Sequence, residues 1–205
     1  MIKAKHHFFI YPFFQYYTLY LLRKKFHSVR VIGEFFDENK PILLIANHVS
    51  WWDGFWAMFL NLNRLKRKFY FMMQENQLLK FRFFNKTGAF SVNKNSREII
   101  QSINYASVIL EDKRNMLLIY PQGKIQSIYE HKFNFEKGIE RILKEKNGKV
   151  QLVFSVNLID YFSQPKPSLY IYIETYSGQF TRNNIEFSYN EFYQNCVNKQ
   201  KQIQY

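Results

Sequence analysis

Short, predominantly apolar runs constrain this chain most. They are Pro41-Ile42-Leu43-Leu44-Ile45-Ala46, Met116 to Ile119 and Val150 to Val156. A strand with one wet face alternates apolar and polar residues, whereas an unbroken apolar run implies a strand covered on both faces. Helical patterns fall between these runs. Trp52 to Leu62 is apolar and helix-compatible. Asn95 or Ser96 can cap a helix to about Asp112, with Ile99, Ile100, Ile103 and the Ala106-Ser107 region at helical spacing. Glu136 to Lys146 puts Ile139, Ile142 and Leu143 on one face, with Gly148 just beyond its end. Val29 to Phe35, Lys68 to Met73 and Leu169 to Thr175 read as further strands, the last after the breaker Pro165-Lys166-Pro167. Strands alternating with helices predict an α/β fold: a single domain with a central mixed β-sheet flanked by helices. The length suits one such domain, and no internal repeat or low-complexity linker interrupts it.

The chemistry-bearing residues follow the first apolar run. Asn47 and His48 fall at the carboxyl end of that strand, where open α/β sheets place their ligand crevices. Asp53 stands five positions after His48. An imidazole titrates near neutrality and can take a proton from an alcohol, and a carboxylate on its other ring nitrogen fixes the tautomer and stabilises the imidazolium. No neighbouring serine or cysteine is required as nucleophile, so the attacking hydroxyl belongs to the substrate and the chain reads as a transferase. His131 and Glu136 repeat the spacing without a strand before them, and form a decoy. There is no glycine-rich nucleotide loop and no Cys/His set with zinc spacing.

These residues resemble the glycerolipid acyltransferases, the lysophosphatidic-acid-acyltransferase-like enzymes. Asn47, His48 and Asp53 match the first family motif, Asn-His, four residues and Asp. Gly88-Ala89-Phe90-Ser91-Val92-Asn93-Lys94 follows the second, Gly-Ala-Ile-Pro-Val-Asp-Arg, with softer residues. Tyr120-Pro121-Gln122-Gly123-Lys124-Ile125 stands for the third, Phe-Pro-Glu-Gly-Thr-Arg, and Phe135-Glu136-Lys137-Gly138 follows as a family-like Phe-x-x-Gly. The strand Val150 to Val156 stands where the fourth belongs, with Asn157 after it and the usual proline absent. Order and spacing agree across roughly residues 30 to 160.

The resemblance implies direct acyl transfer from a thioester to an alcohol. His48 is the expected base and Asp53 its orienting partner, with no metal and no cofactor beyond acyl-CoA or acyl carrier protein as co-substrate. Backbone amides around Pro121, Gln122 and Gly123 are candidates for the oxyanion site. Gly88, Lys94, Pro121, Gln122, Gly123 and Lys124 are the expected substrate-binding residues. Gln122 replaces the family glutamate, Ile125 an arginine and Lys94 another arginine, and in the family those groups hold an acceptor phosphate. Lys94 attracts a phosphate as a point charge rather than a bidentate fork. Three readings therefore stand: a lysophospholipid or glycerolipid acceptor; a non-phosphate acceptor such as a glycolipid, carotenoid glycoside or aminoacyl lipid; or a noncatalytic basic module that binds membrane or nucleic acid.

Composition favours a lipid surface. Lys and Arg number 29 against 16 Asp and Glu, a formal charge of +13, and one residue in five is aromatic. Such a balance implies anionic partners. Phe8 to Leu22 is apolar and aromatic, flanked by Lys3, Lys5, Arg23, Lys24, Lys25 and Arg30, with no acid before Glu34. As a helix this segment reaches about 22 Å, short of the roughly 30 Å hydrocarbon core. Residues 1–28 therefore read as a membrane-surface anchor and 29–205 as the acyltransferase domain. No small-residue cleavage site follows Leu22, against a secretory signal, and the single cysteine, Cys196, fits a reducing compartment. The expected location is peripheral, on the cytoplasmic face of a membrane. Basic residues 64–68 and 80–86 interleave with aromatics, but no recognisable nucleic-acid motif accompanies them, so no specific nucleic acid is expected.

Overall fold

The apolar runs find one another in the middle of the sheet. In the computed structural model, which describes residues 1–93, 98–144 and 146–203, strand β2 (Ile42–Ala46) lies between β5 (Asn115–Ile119) and β6 (Gln151–Asp160). Ile42 registers with Met116 on one side and Gln151 on the other, both pairings parallel. Strands β3 (Lys68–Gln74) and β4 (Ala89–Val92) continue the parallel block beyond β5. Beyond β6 the direction reverses: β7 (Ser168–Tyr176) pairs antiparallel with it, and β1 (Ser28–Ile32) runs parallel to β7. The seven-stranded order is β1-β7-β6-β2-β5-β3-β4, a mixed sheet.

Helices cover both faces, so β2 is buried along its whole length. Leu43 and Ile45 face one core with Leu117, Phe154 and helices α4 (Ile99–Ile109), α5 (Gly138–Leu143) and α6 (Arg182–Lys201). Ile42, Leu44 and Ala46 face the other, with Met116, Leu118 and helices α1 (Ile10–Lys25) and α2 (Asp53–Leu60). A short helix α3 (Glu75–Lys80) and a 3-10 segment (Arg82–Thr87) link β3 to β4. Helix α1 buries Phe14, Thr18 and Leu22 at fourfold spacing, yet Phe9, Phe13, Tyr16 and Tyr20 stay exposed on its far side. Its exposed side is aromatic and ends in the basic last turn Arg23, Lys24 and Lys25, as expected of an amphipathic, aromatic N-terminal helix.

Several elements end differently from the sequence reading, each for a local reason. β1 stops at Ile32 rather than Phe35, because Gly33 turns at φ +111 and any side chain there would strike the Ile173 carbonyl. The helix expected through Lys146 ends at Leu143, where Lys144 adopts extended backbone. Helix α4 stops at Ile109, before an Asp112 turn that leads into β5. The cap candidates Asn95 and Ser96 lie outside the described residues. At the far edge, β4 is covered by the N-terminal segment, whose Ile2 carbonyl accepts from the Ser91 amide at 2.9 Å. That pairing shields an edge otherwise open to other chains.

Candidate active site

Strand order reverses around β2: the chain passes outward to β3 on one side and returns across β2 to β6 on the other. Crevices form at the carboxyl ends of strands at such a point. Asn47 and His48 leave β2 there. The Asn47 side chain is fully committed to the neighbouring strand: its Nδ2 donates to the Asn157 carbonyl at 3.0 Å and its Oδ1 accepts from the Asn157 amide at 2.8 Å. This pair of hydrogen bonds fixes where the chain exits the sheet and hence where His48 projects.

His48 Nδ1 lies 2.7 Å from Asp53 Oδ2. The same oxygen accepts from the Val49 amide at 2.7 Å and the Ser50 amide at 2.9 Å, because Asp53 opens helix α2 and folds back over the turn before it. A carboxylate in a first helical turn also sits at the positive end of the helix dipole. The side chain of Asp53 is 0% exposed and that of His48 26%. Burial pushes the Asp53 carboxyl above its ordinary range, while the bonds from His48, Ser50 and Val49 oppose the rise. Its Oδ1 is buried without a hydrogen-bond partner among the described residues.

Tyr120, at the end of β5, stacks on the His48 ring with centroids 4.1 Å apart and planes 11° apart. One face of the imidazole is therefore covered. The third-motif segment is tied to His48 through its carbonyl, which accepts from Gln122 Nε2 at 3.2 Å and from the Gln126 amide at 2.9 Å. Gln122 is buried and acts here as a clamp, a role its unionised amide allows without a buried charge. Among the expected oxyanion donors, Pro121 has no N–H and the Gly123 amide donates to the Tyr120 carbonyl at 2.9 Å, within a turn where Gly123 has φ +64. The Gln122 N–H is the remaining amide of that trio.

The other expected residues scatter. Lys124 is exposed on the loop after the turn. Lys94 lies outside the described residues. Gly88 is not beside His48: it precedes the amino end of β4, whereas His48 follows the carboxyl end of the parallel β2. Its glycine is explained by backbone, with φ +111 and a Cβ that would collide with the Phe69 carbonyl oxygen. Sequence reasoning gave no role to Tyr120 or Asn157. The signal for Tyr120 was its place directly before Pro121, at the end of an apolar strand; nothing local marks Asn157 as the Asn47 partner. Among the described residues no group of His, Cys, Asp and Glu has metal-binding geometry.

Comparison with known proteins adds one match. A family model described as Acyltransferase matches residues 28–156, from β1 into β6. No curated protein matches the chain.

Proposed function

The chain belongs to the acyltransferase family, and from that premise we propose that it moves a fatty acyl group from an acyl thioester to a hydroxyl of a membrane-lipid acceptor. The observation that carries this reading is the 2.7 Å bond between a partly exposed His48 and a fully buried Asp53. The ring nitrogen not held by Asp53 takes the proton of the acceptor hydroxyl as its oxygen attacks the thioester carbonyl carbon. Asp53 stabilises the imidazolium, and the Gln122 N–H is assigned to the oxyanion. Collapse of the tetrahedral intermediate breaks the C–S bond, and the imidazolium returns its proton to the departing thiolate. Acyl-CoA and acyl carrier protein both fit a strongly basic chain as donors, with Lys94 and Lys124 as candidate contacts for their phosphates.

The aromatic face of α1 supports a bilayer as the working surface. Phe13, Tyr16 and Tyr20 are exposed there, with Arg23, Lys24 and Lys25 in the last turn. Phe14 on the inner side meets Phe55 and Phe83, and Phe55 meets Trp51, which is 64% exposed within the His48–Asp53 turn. Among the described residues no helix is long and apolar enough to cross a membrane. A peripheral attachment that brings the His48 turn to the headgroup layer fits both facts.

The test is acyl transfer by the purified chain on anionic liposomes, with acyl-CoA and acyl-carrier-protein donors offered against total polar lipids. An acylated product is expected, reduced about 10³-fold or more in His48→Ala, given what a general base and its coupled groups contribute. Near-normal turnover in that variant would sink the scheme.

A further inference from the structure

A cavity of about 440 Å³ opens at the end of the parallel strands opposite to His48. It lies where β3 and β5 begin, with Lys68 in register with Asn115, and where the chain passes Asn39 on its way into β2. The five residues of β2, about 16 Å of strand, separate this space from the turn that carries His48 and Asp53.

The backbone around the cavity is fixed by its own hydrogen bonds. Asn61 is buried and clamps the turn after α2: its carbonyl accepts from the Lys66 amide at 2.7 Å, its Oδ1 from the Arg67 amide at 2.9 Å, and its Nδ2 donates to the Arg67 carbonyl at 2.7 Å. The Lys68 amide then donates to the Arg114 carbonyl at 2.7 Å, which joins this turn to the one before β5. In that second turn Asp112 Oδ1 accepts from the Arg114 amide at 3.0 Å. Lys66 holds φ +54, a left-handed conformation that glycine adopts more cheaply, so a cation stands there at some backbone cost.

Charge is concentrated on this frame. Five Lys and Arg side chains line the cavity against one carboxylate, Asp112. The two arginines are already paired, Arg67 with Asp37 and Arg114 with Asp112. Arg114 holds the Asp112 carboxyl down to about 2, and Lys68 adds to the drop. Arg67 lowers the Asp37 carboxyl, and Lys113 adds to that drop from the other turn. Both acids are therefore spoken for, while Lys66, Lys68 and Lys113 have no ion-pair partner among the described residues. Three ammonium groups thus border one preorganised space. Lysine serves as a point-charge binder of phosphate. A phosphate monoester brings about −1.5 to −2 near neutral pH, and a diphosphate brings more, so either answers three cations better than a single carboxylate does.

We propose that this cavity is a binding site for a multiply charged phosphate group, separate from the catalytic turn. The phosphate belongs either to a free diphosphate-class ligand or to an acidic lipid headgroup. The site goes beyond the acyl-transfer reading and does not depend on it.

Two arms test it on the full chain. Inorganic pyrophosphate is titrated by calorimetry, and phosphatidylcholine vesicles with or without phosphatidate are assayed by sedimentation. Lys66→Gly with Lys113→Ala removes two of the three cations. Both side chains are exposed and glycine suits the Lys66 backbone, so the fold is kept, as thermal unfolding will show. Lys132→Ala with Lys166→Ala lowers the net charge equally at exposed positions outside the cavity. The native chain and this control are expected to bind alike, and the cavity variant at least about tenfold more weakly. Loss in the pyrophosphate arm assigns a free ligand, and loss in the phosphatidate arm alone assigns a lipid headgroup. Equal binding by the cavity variant and the control overturns the proposal, because the overall charge then accounts for any attraction. Failure of the native chain to bind in either arm overturns it as well. Neither arm reads acyl transfer, so the catalytic reading stands or falls separately.

Discussion

At the scale of single residues, the site depends on a few side chains that hold one another in place. Replacing Asn47 by Leu strands the buried N–H and C=O of Asn157, at a cost of about 1–3 kcal/mol for each group left unpaired. Denaturant unfolding of Asn47→Leu should register that loss, together with reduced turnover because His48 is no longer aimed. Asp53→Asn differs: the amide oxygen can still accept from Val49 and Ser50, but the charge that supports the imidazolium is gone. The expected result is a turnover loss on the order of 10³- to 10⁴-fold with the melting temperature little changed, read by activity and thermal unfolding together. The spacing of His48 and Asp53 was legible in the sequence because both lie in one turn. The Asn47–Asn157 bond and the Tyr120 stacking were not, since they join segments far apart in the chain and depend on strand order.

Elements show the same division between local and long-range information. The three central strands were readable because burial on both faces leaves them predominantly apolar. Helix α6 was not, because its buried positions Ile185, Tyr189, Tyr193, Cys196 and Gln200 include tyrosines and a glutamine in an otherwise polar sequence. Its tyrosines reach hydrogen bonds from within the core, Tyr189 to the Ser155 carbonyl and Tyr193 to the Ile128 carbonyl. At the start of β4, Gly88→Ala should cost more than the ~1 kcal/mol of an ordinary positive-φ glycine, because its methyl group collides with Phe69 backbone, and a lowered denaturation midpoint would show it. Nearby, His6 is packed edge-on against Tyr11 and Tyr70 and bonds the Phe69 carbonyl at 2.9 Å. Burial, helped by Lys68, lowers its pKa from 6.5 to about 4. The unfolded chain therefore takes up this proton first. Stability that is full above pH 6.5 is lost as pH falls from 6.5 toward 4. Unfolding midpoints measured across that range should fall less steeply in His6→Gln than in the native chain.

For the whole molecule, the two faces of the sheet have different tasks. One core is closed by α4, α5 and α6; the other is closed by α2 and by α1, whose outer side remains aromatic. If that side meets the bilayer, Phe13→Ser with Tyr16→Ser should lower partition onto anionic vesicles by about tenfold or more while changing stability little. Raising the salt concentration should weaken binding of the native chain as well, through screening of Lys24, Lys25 and their neighbours. Sedimentation with vesicles measures both effects. The sheet's reversal has a further result. The turn between β6 and β7, residues 161–167, rises on the same edge as His48 and supplies Tyr161 and Pro167 to the wall of a cavity that Trp52 also lines. Both strands it joins are fastened along their length, from Leu152 with Tyr176 to Asp160 with Ser168. Insertions and deletions at this tip can accumulate without shifting the register beneath it. Changes in this short surface bridge can therefore reshape the space beside Trp52 while the His48–Asp53 contact keeps its geometry.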